Sequence, residues 1–378
     1  MRLHRWICAL LVAFALLPGG VALADAPTVA PVETKLGENV VRYPKLEGLA
    51  DEAIQAAVND DIVESADILK LLVALAVDDG WGVRVDYEAY LQNDVLSVAI
   101  SCKRRTHSVV GLCYDIKTGE RIAAGALFAD ADAALAFMEE RLTDTYADEL
   151  SGYLENAAIT PIPTDSFSID ANGVTFYYPY ESFSTLSGFA GECQFQYTEL
   201  TEYLNLGEDS VLTRIGVNND ALADDQIKAR IDADISAGRM PGFGKVALGD
   251  SMSDAIGRYR LLREPDQFPG GKYYQMESAA FRQIRVLSDA LTDGWDASVV
   301  EGIQSLRADL YGIRCGETTV ERWRQILGEP TRTMTLTENM AYDYALCVGA
   351  CDFYTFGENE LRLYADADGV LYAAQVAR

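Results

Sequence analysis

The spacing of apolar residues changes at Gly82, and that change limits the chain to folds that combine amphipathic helices with antiparallel strands. Before it, Leu49 to Ala76 carries Ile54, Val58, Ile62, Leu69, Leu72 and Ala76, mostly at steps of three, four or seven. That spacing predicts one long helix with a single buried stripe. After it the period is two: Val83, Val85 and Tyr87 alternate with polar residues, Leu96, Val98 and Ile100 do the same, and Val109 to Ile116 forms a third run. A three-stranded meander is expected, with turns at Gln92-Asn93-Asp94 and Arg104 to Ser108. Lys117-Thr118-Gly119-Glu120 turns the chain again, since Gly119 takes positive φ without steric cost. A second helix is read from Leu135, Met138, Leu142, Tyr146, Leu150 and Leu154, ending before Pro161-Ile162-Pro163. Val174, Phe176 and Tyr178 then alternate into a further strand. The class is α+β.

Export is the next expectation. Arg2, His4 and Arg5 give a basic start, Trp6 to Leu17 an apolar stretch, and Ala22-Leu23-Ala24 a small-x-small cleavage site, so residues 1–24 read as a signal peptide cut before Asp25. The apolar stretch has 12 residues, short of the roughly 20 that span a bilayer. The longest later run, Ile68 to Val77, is interrupted by Lys70, so no transmembrane anchor is expected after cleavage. Cys8 lies inside the apolar stretch rather than after a cleavage box, which argues against a lipid anchor. The mature chain is expected to be secreted or periplasmic.

Charge then bounds the partners. The 378 residues carry 31 Lys and Arg against 58 Asp and Glu, and removal of Arg2 and Arg5 leaves the mature chain at −29. A surface of that sign repels nucleic acid and bare anionic membrane and steers cationic proteins inward. His4 and His107 are the only histidines, so sites that need several imidazoles cannot be assembled, and no metal or cofactor is expected. Six cysteines remain after cleavage, an even number in an oxidising compartment. Cys102 and Cys113 flank one expected β-turn and are read as a disulfide, and a second bridge is expected from Cys315 to Cys347 or Cys351. Cys193 is left over.

Particular segments carry a family likeness. Tyr43-Pro44-Lys45-Leu46-Glu47-Gly48, Leu96-Ser97-Val98-Ala99-Ile100 and Asp115-Ile116-Lys117-Thr118-Gly119 are followed by Val174-Thr175-Phe176-Tyr177-Tyr178-Pro179-Tyr180-Glu181 and Tyr197-Thr198-Glu199-Leu200. Together they resemble the RsiV-like extracytoplasmic domain over residues 39–206, after an N-terminal lead at 25–38. That domain is the outer part of lysozyme-sensing anti-sigma factors and an accessory of some peptidoglycan deacetylases, so the resemblance implies a cell-envelope module. Where the family commonly has a Gly-Gly-Ala-His loop, this chain reads Lys103-Arg104-Arg105-Thr106-His107-Ser108, so the role of that loop does not carry over.

Residues 207–244 read as a linker with an acidic helix, Ala221 to Ile235. Beyond it the pattern repeats at about 65 residues. Gly249-Asp250-Ser251 leads through a short helix to Arg263-Glu264-Pro265, and Gly316-Glu317-Thr318 leads through another to Gly328-Glu329-Pro330. Tyr-rich strands are expected at Lys272 to Met276 and Ala341 to Leu346, with hairpins through Asp293-Gly294 and Asp368-Gly369. Residues 245–378 resemble the tandem repeats of beta-lactamase inhibitor protein and the outer-membrane assembly lipoproteins, divided at 245–312 and 313–378.

Candidate binding residues are Arg104, Arg105 and His107 at the basic hairpin tip, and Tyr178 and Tyr180 in an aromatic run that offers flat faces to a sugar. Against these stand ordinary readings: a solvated turn for the first three and core packing for the tyrosines, since alternation sends half of them inward. No residue is assigned a catalytic role. Asp366-Ala367-Asp368-Gly369 reads as a turn because the other ligands of a calcium loop are missing. The sequence therefore reads as an exported, non-enzymatic cell-envelope protein that binds a protein or envelope ligand, with lysozyme-type hydrolases as the cationic candidate. One rival is a carbohydrate- or peptidoglycan-active enzyme using two carboxyl groups in an aromatic-walled cleft. The other is an inhibitor of secreted hydrolases that displays Tyr273, Tyr342 and Tyr344. The oligomeric state is left open.

Overall fold

The computed structural model describes residues 26–378 except 78–79, 81, 104–106, 154–160, 180–190, 219–221, 243, 259–265, 268–273, 278–283 and 289–297. The leader, Arg104, Arg105, Tyr180, Tyr273 and the Asp293-Gly294 turn thus lie outside the described residues. The architecture is α+β, as the two periodicities require. Among the described residues no helix is long and apolar enough to cross a membrane.

The chain opens with a hairpin where a lead was expected: β1 (Thr28–Leu36) pairs antiparallel with β2 (Asn39–Glu47). β1 is an edge strand, where Pro31 removes no interior ladder bond. Its half-exposed alternation is a weak sequence signal, which is why the strand reads as irregular. The single helix expected next is two helices, α1 (Glu52–Ser65) and α2 (Ile68–Val77). Asp51 caps α1, its carboxylate accepting from the N–H groups of Ala53 and Ile54. The break is Asp67, at φ 51°, a left-handed conformation that a short polar side chain tolerates. This break resets the helical phase. Ile68, Leu71 and Leu75 turn inward, and Leu69, expected inside, is 64% exposed.

β3 (Arg84–Gln92), β4 (Val95–Lys103) and β5 (His107–Asp115) form the expected meander, extended by β6 (Glu120–Arg121). β2 and β3 run parallel because the helices carry the chain back across the sheet. Alternation then divides the core. Leu96, Val98, Ile100, Leu112 and Tyr114 face α1 and α2, and Val95 and Cys113 face a second layer. That layer holds α3 (Ala131–Tyr153), which buries Met138 and Leu142 as its spacing predicts, together with Ala134, while Leu135 is half-buried. It also holds a three-stranded sheet of β7 (Phe167–Ile169), β8 (Gly173–Tyr177) and β9 (Glu192–Gln196). The layers touch at Gly111, where a Cβ would lie 2.5 Å from the carbonyl carbon of Phe167. Backbone cannot yield as a side chain can, so this position requires glycine.

α4 (Val211–Arg214) closes this core with Val211 and Leu212. α5 (Asp224–Ser236), read as a spacer, buries Ile227, Ile231 and Ile235 in the second core instead. The remaining elements are α6 (Met252–Arg258), β10 (Asp266–Gln267), β11 (Tyr274–Glu277), β12 (Ile284–Ser288), β13 (Gly302–Ser305), β14 (Asp309–Leu310) and β15 (Ile313–Arg314). They are followed by α7 (Val320–Leu327), β16 (Arg332–Leu336), α8 (Glu338–Asp343), β17 (Gly349–Phe356), β18 (Asn359–Ala365) and β19 (Leu371–Ala377). The two expected repeats share one eight-stranded sheet, ordered β10-β11-β12-β13-β19-β18-β17-β16. α5, α6 and α7 cover one face and α8 contributes to a smaller cluster with Leu336, Cys351 and Phe353. The Tyr-rich strand expected at Ala341 to Leu346 is instead the end of α8 and the loop after it. Thr337 caps that helix by accepting from the Met340 N–H at 3.5 Å.

Candidate functional site

Of the binding residues marked in the sequence, two are described, His107 and Tyr178. His107 opens β5 and is only 2% exposed, which corrects its reading as a solvated turn residue. Tyr178 is buried with Phe176 and Phe195 in the core beneath α3. The other three marked positions lie outside the described residues. The six cysteines from Cys102 to Cys351 are free thiols, so both expected bridges are corrected. Cys102 pairs with Ser108 and Cys113 with Ser97, so the two cysteines stand five ladder rungs apart and on opposite faces of the sheet. Burial pushes the Cys113 thiol up to about 12 despite opposing interactions with Ser97 and the Ile169 backbone. Cys347 and Cys315 both lie near Tyr372, and no bond joins the two thiols.

What the fold does build is a polar cleft of about 350 Å³ between the two cores. Glu88 on β3, and Asp170 and Asn172 in the β7–β8 turn, meet Asp234 on α5, Lys245 and Tyr311 from the other half. The Lys245 Nζ lies 3.0 and 3.1 Å from the two carboxylate oxygens of Glu192 and 3.8 Å from Glu88. Asp234 accepts from the Tyr311 hydroxyl at 2.6 Å and the Gly242 N–H at 3.3 Å, and pairs with Arg239 at 3.2 Å. Burial, and then the Asp234 carboxylate, push the Tyr311 hydroxyl well above its ordinary value. Among the described residues the wall carries one aromatic side chain, Tyr311, with charged and amide groups around it. This is a charge-compensated seam between the halves, unlike the aromatic-walled groove that the glycoside-hydrolase reading calls for.

Within the cleft the Asp170 carboxyl holds its proton more tightly than an ordinary aspartate does. Burial raises that affinity, and the Glu88 charge adds to this. The N–H groups of Asn172 and Gly173, donating at 2.7 and 3.0 Å to the same oxygen, and the Lys245 charge oppose without cancelling it. A raised folded-state value means that ionisation costs stability, a cost that grows as the pH rises above the ordinary carboxyl value. Asp170→Asn keeps the accepting oxygen and removes the charge. The variant is expected to unfold at higher urea than the parent at pH 7, and the gain should vanish as the pH falls below the ordinary carboxyl value of 3.8. Equal midpoints at pH 7 would contradict this account. The sequence analysis missed this site; the local turn Asp170-Ala171-Asn172-Gly173 is the one signal that could have marked it, because its charged partners come from segments far along the chain.

Two exposed apolar surfaces stand apart from the cleft. On and after α8, Tyr342 is 75% exposed and Tyr344 and Val348 are each 43% exposed, beside the acids Glu338 and Asp343. On α2, Leu69, Val73 and Val77 are 64%, 68% and 86% exposed. Large side chains clustered in this way mark recognition surfaces more often than isolated exposed ones do.

No family model matches the chain, and no curated protein matches it. Among solved structures it is similar to a DUF3298 family member from Bacteroides fragilis, at 13% identity and TM-score 0.36 over 50% of this chain and 97% of that one. It is also similar to a DUF3298 family protein from Pseudomonas aeruginosa, at 12% identity and TM-score 0.33 over 49% and 97%. A DUF4309 family protein, YjgB, from Bacillus subtilis follows at 14% identity and TM-score 0.29 over 40% and 96%. RsiV-like domains belong to the DUF3298 family, so two of these neighbours carry the family name that the sequence likeness implies. Scores below 0.5 establish no common arrangement of elements, and the fold rests on the topology described above.

Proposed function

We propose that this chain is an extracytoplasmic cell-envelope protein that works by surface recognition, binding a cationic protein partner of which lysozyme-type hydrolases are the candidate class. The observation that supports this reading is the α8 surface, where Tyr342 at 75% exposure stands beside Tyr344 and Val348 on a strongly acidic protein. Tyrosine is a favoured interface anchor because its ring buries a large area at the cost of two torsions while its hydroxyl keeps a polar contact. The surrounding negative field would raise the encounter rate with a basic partner, and salt would lower it.

The same tyrosines favour the inhibitor reading, in which the bound hydrolase is blocked rather than merely recognised. Immobilised lysozyme tests both. The expected result is a complex that forms faster at low than at moderate salt, with Tyr342→Ala dissociating at least about tenfold faster, as loss of a central aromatic anchor does. An unchanged lysozyme rate in the presence of saturating protein would leave recognition without inhibition. No detectable complex at either salt concentration would remove this partner class.

A further inference from the structure

α2 is apolar on nearly every side, with Lys70 as its one charged residue. A helix of that composition is ordinarily enclosed, yet here only Ile68, Leu71 and Leu75 are buried. The positive-φ break at Asp67 is the cause: it turns the helix so that Leu69, Val73 and Val77 point outward. Their spacing of four residues stacks them in one row about 12 Å long, at about 1.5 Å per residue. The row has an acidic surround. Among the described residues from Asp60 to Val77 the chain holds four acids, Asp60, Asp61, Glu64 and Asp67, against Lys70 alone. Lys70 is itself neutralised, paired with Asp67 at 2.6 Å and in the field of Glu64. Asp61 is bound to Arg121.

We infer that the outer row of α2 is a docking surface for a basic amphipathic helix of a partner protein, whose apolar face covers Leu69, Val73 and Val77 while its lysines or arginines meet the flanking acids. Charge selects this occupant. A second copy of this chain would bring the same acids against the row, and an anionic lipid surface would be repelled by them. A helix of opposite charge gains both area and attraction. The inference rests on the reading of a cationic partner, and it adds a surface distinct from the α8 tyrosines.

The test uses the full mature chain and a fluorescent synthetic helix of leucine and lysine at helical spacing, with a scrambled peptide of the same composition as reference. The variant Leu69→Ser/Val73→Ser/Val77→Ser leaves every charge in place, and its sites are exposed enough to spare the fold. The parent is expected to bind the helical peptide more tightly than the scrambled one. The triple variant should lose about tenfold or more of that affinity, a factor that corresponds to about 1.4 kcal/mol. Equal affinity of parent and variant for the helix would overturn the assignment of α2 while leaving a cationic partner standing. Binding of neither peptide by the parent would instead remove the cationic partner, and the inference with it. A parent dimer that the triple variant abolishes, or parent binding to zwitterionic phosphatidylcholine vesicles that it abolishes, would assign the row to self-association or to lipid and overturn the proposal.

Discussion

Asp352→Ala is expected to destabilise the C-terminal half by about 3–5 kcal/mol, the usual loss when one member of a buried ion pair is removed. The carboxylate of Asp352 on β17 has no exposed surface. It receives the Trp323 indole N–H at 3.0 Å, Arg324 through two nitrogens at 2.7 Å each, and the Thr333 hydroxyl at 2.8 Å. α7 is thereby tied to the sheet through its most deeply buried aromatic residue. Burial alone would raise the carboxyl's proton affinity, but the hydrogen bonds from Arg324, Trp323 and Thr333 outweigh it and hold the group below its ordinary value of 3.8. Its contribution is therefore complete above that pH and is lost as the pH falls below it, through the depressed folded-state value. The indole makes the change readable as tryptophan fluorescence during urea unfolding. A midpoint within error of the parent's at neutral pH would show that the network carries no net stability, and Asp352→Asn should lie between the two.

Asp309→Ala is expected to cost a similar amount, about 3–5 kcal/mol, and to loosen the seam between the halves. Asp309 is 1% exposed and accepts from Arg314 at 2.9 Å, from the Thr198 hydroxyl at 3.2 Å and from the Gly312 N–H at 2.6 Å. Arg314 in turn donates to the Thr198 carbonyl at 2.7 Å, and the Gln196 side chain donates to the Asp309 carbonyl at 2.6 Å. Loss of the carboxylate removes the buried partner of the guanidinium, leaving it the Thr198 carbonyl and Glu317 at 3.4 Å, and frees the β14–β15 turn, in which Tyr311 sits at φ 58°. Because Tyr311 holds Asp234, which in turn accepts from the Gly242 N–H, faster amide exchange is expected at residues 196–200 and 309–314 and also around Gly242. Exchange confined to the turn itself would show that the two halves are held by other contacts, such as the Arg141–Glu317 pair at 2.7 Å.

Sequence periodicity was sufficient for the meander and α3 because each is a local repeat of side-chain faces: Val98 and Ile100 share a side whatever lies beyond them, and so do Ala134, Met138 and Leu142. It was insufficient for α2, where spacing placed Leu69 inside. One residue, Asp67, rotates the phase, and an all-apolar helix offers no polar face from which that phase can be read. The cysteine pairing failed for a related reason. Proximity to one turn sets neither rung nor face, and Cys102 and Cys113 differ in both.

The sequence by itself determined the α+β class, the acidic surface and the scarcity of imidazoles, since these depend on composition and on neighbours a few residues apart. Tertiary structure alone decided that the two repeat-like segments join into one sheet through β13 and β19 and that α5 belongs to a core. It also decided that Asp170, Asp234 and Lys245 meet in a cleft and that Leu69, Val73 and Val77 face outward. Each of those outcomes depends on how distant surfaces exclude water from one another, and that free energy belongs to the assembled contact rather than to any segment of the chain.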